Sequence, residues 1–117
     1  MVPERAERTL SQMRRGAAEL CVLALLRDGE KYGFEIAKAV AGADGLVASE
    51  GTIYPLLSRL RGDGLVKTTW RDSVEGPPRR YYNLTKSGSA ELEALSTQWV
   101  RFRDVVDSIL ESRGGRQ

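Results

Sequence analysis

Between Ser49 and Val66 the chain reads Ser-Glu-Gly-Thr-Ile-Tyr-Pro-Leu-Leu-Ser-Arg-Leu-Arg-Gly-Asp-Gly-Leu-Val, an amphipathic helix that stops at glycine and passes directly into a strand. At 100° per residue Ile53, Leu56, Leu57 and Leu60 gather on one side, while Gly51, Pro55, Ser58 and Gly62 fall opposite. Such a helix buries one face on a core and leaves the other slim enough to sink into a groove. Ser49 is placed to cap it by accepting a hydrogen bond from an amide two or three residues on, and Gly62 and Gly64 mark its end. Pro55 lacks an amide hydrogen, so a start at Ser49 strains the first turns, whereas a start near Thr52 places it in the first turn. Both starts stay open on the sequence.

The flanking segments fall into a simple order. Leu10, Met13, Ala17, Leu20, Cys21 and Ala24 form a helical stripe within residues 9–27. After the breaker Asp28-Gly29-Glu30-Lys31, residues 32–40 offer Phe34, Ile36, Ala37 and Val40 for burial in a short second helix. The glycine-rich turn 41–45 leads to the third helix. Residues 65–70 and 79–84 are rich in β-branched and aromatic side chains and flank the cluster Asp72-Ser-Val-Glu-Gly-Pro-Pro78, which predicts a β-hairpin. Thr85 then caps a last helix reaching about Ser112, ahead of a mobile tail at 114–117. The expected fold is mostly α with a small β-hairpin.

Composition narrows the function. With 117 residues, 41% apolar and 29% charged, the chain reads as a folded single domain. It contains no histidine and one cysteine, which excludes histidine-based triads, zinc sites of the usual donor sets and an internal disulfide. Cys21 reads as a buried thiol. No phosphate-binding glycine loop occurs, and Glu91 and Glu93 fall on different helix faces, so neither an enzyme nor a cofactor or metal site is expected. No apolar run approaches a membrane span and no signal-peptide core follows Met1, which predicts a cytoplasmic protein with no membrane partner. The net charge of +2 is small, but residues 50–86 hold seven Lys/Arg against four Asp/Glu, and residues 87–111 two against five. A basic middle suits a polyanion.

The candidate contacts lie in that middle. Thr52, Tyr54, Arg59 and Arg61 flank the small face of the third helix, where they can reach phosphates or base edges of a major groove. Lys67 joins them from the first strand. In the second strand Arg79 and Arg80 stand beside Tyr81 and Tyr82, so each strand face carries one arginine and one tyrosine, an arrangement suited to a phosphate clamp or a minor-groove probe.

These residues resemble the PadR-type transcriptional regulators. The resemblance rests on Tyr32-Gly33-Phe34-Glu35-Ile36, the run from Gly51 to Leu60, Asp63-Gly64-Leu65-Val66, Trp70, and Gly76 through Arg79-Arg80-Tyr81-Tyr82-Asn83-Leu84-Thr85 to Gly88. It implies a winged helix-turn-helix over residues 1–84, with 1–8 flexible, and a C-terminal dimerisation helix and tail over 85–117. It also implies a homodimeric repressor on a palindromic double-stranded DNA operator. Thr52, Tyr54, Pro55 and Ser58 would then lie at the groove, Tyr32 near the backbone, and Arg79, Arg80 and Tyr81 in the wing, with Ser49 at the helix start. One terminal helix matches the short-tailed branch. Arg61 departs from the family pattern, which commonly has an acidic residue there.

In the last helix Leu92, Leu95, Trp99, Phe102, Val106 and Ile109 are spaced three, four, three, four and three residues apart, a heptad seam that calls for a partner helix and, being short for a self-standing coiled coil, should also pack on the first helix. Two-fold pairing through it would set two third helices about 34 Å apart, one turn of DNA. Trp99 lies mid-seam, where a tryptophan pair could hold a small aromatic or hydrophobic inducer; packing is its other role. The competing function is a winged helix used as a protein-interaction module without specific DNA binding.

Overall fold

The computed structural model describes residues 2–42, 44–45 and 47–112; the expected tail at 114–117 lies outside them. The described residues form helices α1 (Glu4–Leu25), α2 (Gly33–Ala41), α3 (Glu50–Gly62) and α4 (Lys86–Glu111), with strands β1 (Lys31–Tyr32), β2 (Val66–Arg71) and β3 (Arg79–Leu84). None of these helices is long and apolar enough to cross a membrane.

Helix α1 starts at Glu4, inside the stretch expected to be flexible and five residues before the predicted Thr9. Glu4 and Glu7 in its first turn oppose the positive helix end, and Arg14 bonds back to Glu7 at 3.4 Å. Its buried residues are Ala18, Val22 and Leu23. The predicted stripe is only half covered, and Met13 is exposed. The periodicity was legible, but this helix has two apolar faces, and the sequence does not rank them. Cys21 is likewise half-buried, with its thiol pKa pushed up by what burial it has.

Ser49 precedes α3 with extended backbone, but its hydroxyl makes no capping bond. The cap is reversed. Thr52 donates both its amide (3.1 Å) and its hydroxyl (2.8 Å) to the Ser49 carbonyl. The helix nevertheless starts at Glu50, with Pro55 inside it, and the missing donor falls opposite the exposed Gly51 carbonyl. The far end closes as a glycine motif: Leu65 N–H reaches the Leu60 carbonyl at 2.9 Å across Gly64, whose φ of +78° only glycine adopts cheaply.

The predicted hairpin is present, with Val66 opposite Leu84 and Arg71 opposite Arg79. It is one strand short of the sheet. Lys31 and Tyr32 pair antiparallel with Tyr82 and Tyr81, giving the order β1-β3-β2. Two residues carry no periodicity, so this strand exists only because β3 offers an edge.

The core joins Val22, Leu23 and Leu26 to Ile36, Ala37 and Val40 of α2, all four predicted positions of α3, and Val66, Tyr82 and Leu92. Phe34, expected inside, is 51% exposed, because a helix of nine residues presents only one face to α3. Thr85 caps α4 as predicted by accepting the Gly88 amide at 3.0 Å. Beyond Leu92 and the half-buried Leu95, α4 leaves the domain, and the rest of its seam is exposed.

Candidate nucleic-acid interface

Strand alternation sorts the wing into two faces. Val66, Thr68 and Trp70 share one face with Arg80, Tyr82 and Leu84; Lys67, Thr69 and Arg71 share the other with Arg79, Tyr81 and Asn83. Val66 and Tyr82 are buried, so the first face starts in the core and runs outward to Trp70 and Arg80 near the turn end of the hairpin. Arg79 and Arg80 therefore leave the hairpin in opposite directions.

Each arginine is held by an aromatic ring. The Arg79 guanidinium lies 4.3 Å from the centre of the Tyr32 ring, and that of Arg80 lies 4.9 Å from the Trp70 ring. Tyr32 also tilts against Tyr81 with 5.6 Å between ring centres. Strand β1 thus brings Tyr32, at the start of α2, to the root of the wing. The Tyr32 amide is in turn held by the Glu35 carboxylate at 3.0 Å.

Sequence reasoning missed the group that fixes this root. Glu30 accepts two bonds from Arg71, from Nε at 2.6 Å and Nη2 at 2.9 Å, and a third from Asn83 at 3.4 Å. Arg71 and Arg79 are direct cross-strand partners, so two like charges would repel there. Glu30 neutralises one and leaves the other to Tyr32. No spacing rule links residues 41 positions apart.

The Arg71 hydrogen bond, aided by its charge, holds the Glu30 carboxyl below the ordinary carboxylate value, and the pair raises Arg71 in return. A depressed folded-state pKa contributes stability that is fully present above the unfolded value, near 4.5, and is lost as pH falls through the folded value. In urea titrations the stability gap between wild type and Glu30→Gln is therefore expected to be constant from neutral pH to roughly pH 5 and to close in acid. A gap that persists unchanged or widens in acid contradicts this assignment.

Helix α3 presents three exposed zones. Its middle holds Gly51, Pro55, Ser58 and Gly62 without large side chains. Tyr54 and Arg61 lie on one flank. Tyr54 is 46% exposed and packs on the start of α2, where a Cβ on Gly33 would stand 3.1 Å from its Cε1. The close approach sets Tyr54 of α3 over buried Gly33, next in the chain to Tyr32. Arg61 makes no ion pair among the described residues, whereas Lys67 lies on the outer sheet face opposite Asn83. Thr52 and Arg59 occupy the other flank, toward α1. The Thr52 hydroxyl is spent on Ser49, and Arg59 pairs with Glu19 of α1 at 3.4 Å. Of the predicted set, Tyr32, Tyr54, Arg79 and Tyr81 are thus brought together, while Ser49, Thr52 and Arg59 turn toward a neighbouring groove.

Trp99 is 42% exposed and meets Phe102 edge-on at 6.0 Å. The described residues contain no cluster of metal-ligating side chains.

The profile of the transcriptional regulator PadR-like family matches residues 22–94. A PadR-like transcriptional regulator from Bacillus cereus is 33% identical, with a TM-score of 0.76 over 87% of this chain and 99% of that one. Transcriptional regulator Rv3488 of Mycobacterium tuberculosis is 35% identical over 83 residues, 71% of this chain and 76% of the relative. Bacillus subtilis PadR, solved in complex with operator DNA, is 29% identical with a TM-score of 0.58, over 65% of this chain and 44% of that one.

Proposed function

Since the chain belongs to the PadR-like family of transcriptional regulators, we propose that it binds a two-fold DNA operator as a homodimer and represses transcription there. The observation that carries this is the run of contacts from Tyr54, packed over buried Gly33, to neighbouring Tyr32 and the Arg79 guanidinium on its ring. A slim helix face lies beside two arginines that are already oriented. In this reading Gly51, Pro55, Ser58 and Gly62 let α3 enter the major groove, Tyr54 and Arg61 meet its edges, and Arg79 and Arg80 grip phosphates on either side of the wing. Exposed Trp99, Phe102, Val106 and Ile109 of α4 provide the surface through which two copies join.

Capturing genomic DNA fragments on the purified protein, then measuring affinity against salt, tests the reading. Specific fragments with a steep loss of affinity as salt rises are expected, because neutralised phosphates release counterions. Retention of a protein partner with flat salt dependence, and no selected DNA, would instead establish the interaction-module alternative.

The finer part of the proposal is release by a planar aromatic or hydrophobic inducer held between two Trp99 side chains. Differential affinity of a few kcal/mol for two arrangements of the dimer suffices for such a switch. In a Trp70→Phe background, a planar cationic dye is expected to quench the remaining Trp99 fluorescence and to lower operator affinity. A dye that does neither removes the inducer role from Trp99.

A further inference from the structure

The wing carries Arg71, Arg79 and Arg80, and the last two rest on aromatic rings. Arg71 is held differently. Its Nε and Nη2 atoms donate to the two Glu30 carboxylate oxygens at 2.6 and 2.9 Å, the paired geometry in which a guanidinium also takes two oxygens of a phosphate. The pair stays at the surface, with 53% of the Arg71 side chain and 29% of the Glu30 side chain exposed.

This bridge spans the whole sheet. Glu30 immediately precedes β1 and Arg71 ends β2, with β3 between them, and the guanidinium passes 5.8 Å from the centre of the Tyr81 ring. Asn83 of β3 donates to the same carboxylate at 3.4 Å, which fixes Glu30 over the outer sheet face. That face also carries Arg79. Arg71 and Arg79 are direct cross-strand partners, so their Cβ atoms stand about 5 Å apart, less than the length of one arginine side chain. A phosphate met by Arg79 therefore lies within reach of Arg71, and what holds Arg71 back is Glu30.

We propose that Glu30 occupies the Arg71 fork in place of a DNA phosphate, and so sets the affinity of the wing without touching DNA. This rests on the DNA-binding reading and adds a positioning residue that works by withholding a contact. The Arg71 hydrogen bond lowers the carboxyl pKa, so Glu30 is charged and the block is in place at neutral pH. The consequence concerns selectivity. Phosphate contacts carry no sequence information, and a third wing arginine on the backbone would tighten the grip on every duplex alike. With Arg71 withheld, binding to unrelated DNA stays weak while the groove contacts of α3 still select.

Salt titrations with two duplexes test this, one a fragment recovered by genomic capture and the other of random sequence. Glu30→Gln keeps the size of the side chain and removes its charge. It is expected to bind both duplexes roughly tenfold more tightly for each protomer, with a slope of log affinity against log salt steeper by about one per protomer. Adding Arg71→Ala to Glu30→Gln is expected to remove the gain and return the slope to its wild-type value. A gain that survives in this double variant traces to the lost negative charge alone and overturns the proposal. So does a Glu30→Gln chain that binds more weakly or keeps the wild-type slope, the result of a wing that has only loosened. If the wild type prefers neither duplex, the operator reading fails, while the slopes on the random-sequence duplex still decide the role of Glu30; a chain that binds neither overturns both.

Discussion

Replacing Gly88 by alanine is expected to destabilise the fold by about 3 kcal/mol or more. Gly88 is buried in the first turn of α4, and a Cβ there would overlap the Leu65 carbonyl oxygen while standing 3.0 Å from the Leu65 carbonyl carbon and 3.1 Å from Leu84 Cδ2. The obstacle is backbone and cannot swing aside. The Leu65 carbonyl accepts the Thr85 amide at 3.1 Å, and the Thr85 hydroxyl donates to the Gly64 carbonyl at 2.6 Å while accepting the Gly88 amide. Moving Leu65 away from the new methyl breaks that junction. Alanine is the better helix former by about 1 kcal/mol, so helix propensity predicts the opposite sign. Urea unfolding followed by circular dichroism decides between them, and a variant as stable as wild type would show that the junction yields.

The double substitution Arg79→Ala with Arg80→Ala is expected to weaken operator binding by roughly 100-fold for each half-site at physiological salt, since each charge-assisted hydrogen bond to a phosphate is worth about 1.5 kcal/mol. It should also lower the slope of log affinity against log salt by about two per half-site, about four for the dimer. Both guanidiniums are already held on aromatic rings, so little side-chain entropy remains to be lost on binding. Arg71→Ala provides the contrast. Its guanidinium is engaged by Glu30, so the slope should stay near wild type although the wing root loosens. Wild-type affinity and slope in the double variant would refute the wing assignment, and a slope that falls by about one per half-site for Arg71→Ala would show that Arg71 leaves Glu30 for a phosphate.

Much of the molecule was legible along the chain because its signals are local. The apolar face of α3 is set by residues three and four apart, the end of that helix by Gly64, the hairpin by a breaker cluster between two β-rich runs, and the start of α4 by Thr85. Every one of these depends on interactions within a few residues. The motif series that resembles the PadR-type regulators is similarly written in sequence order, and the fold agrees with it.

Other features required distant residues to meet. Ser49 had the right chemistry for a cap, yet Thr52 supplies the bonds, since local geometry chose between two hydroxyls that sequence rules treat alike. Phe34 and Met13 had apolar side chains at helical spacing, but burial is decided by which face a neighbour covers. Strand β1 formed because Tyr81 and Tyr82 offered an open edge.

By itself the sequence determined the order of elements, the inward face of α3 and the set of cations available for DNA. Only the tertiary structure assigned those cations: Arg71 to Glu30, Arg59 to Glu19, Arg79 to the Tyr32 ring and Arg80 to the Trp70 ring. Helical and strand periods act over a few residues and can be read from spacing. A charge finds its partner across some 40 residues only after the backbone has folded, and so which arginines are left to meet DNA is a property of the fold.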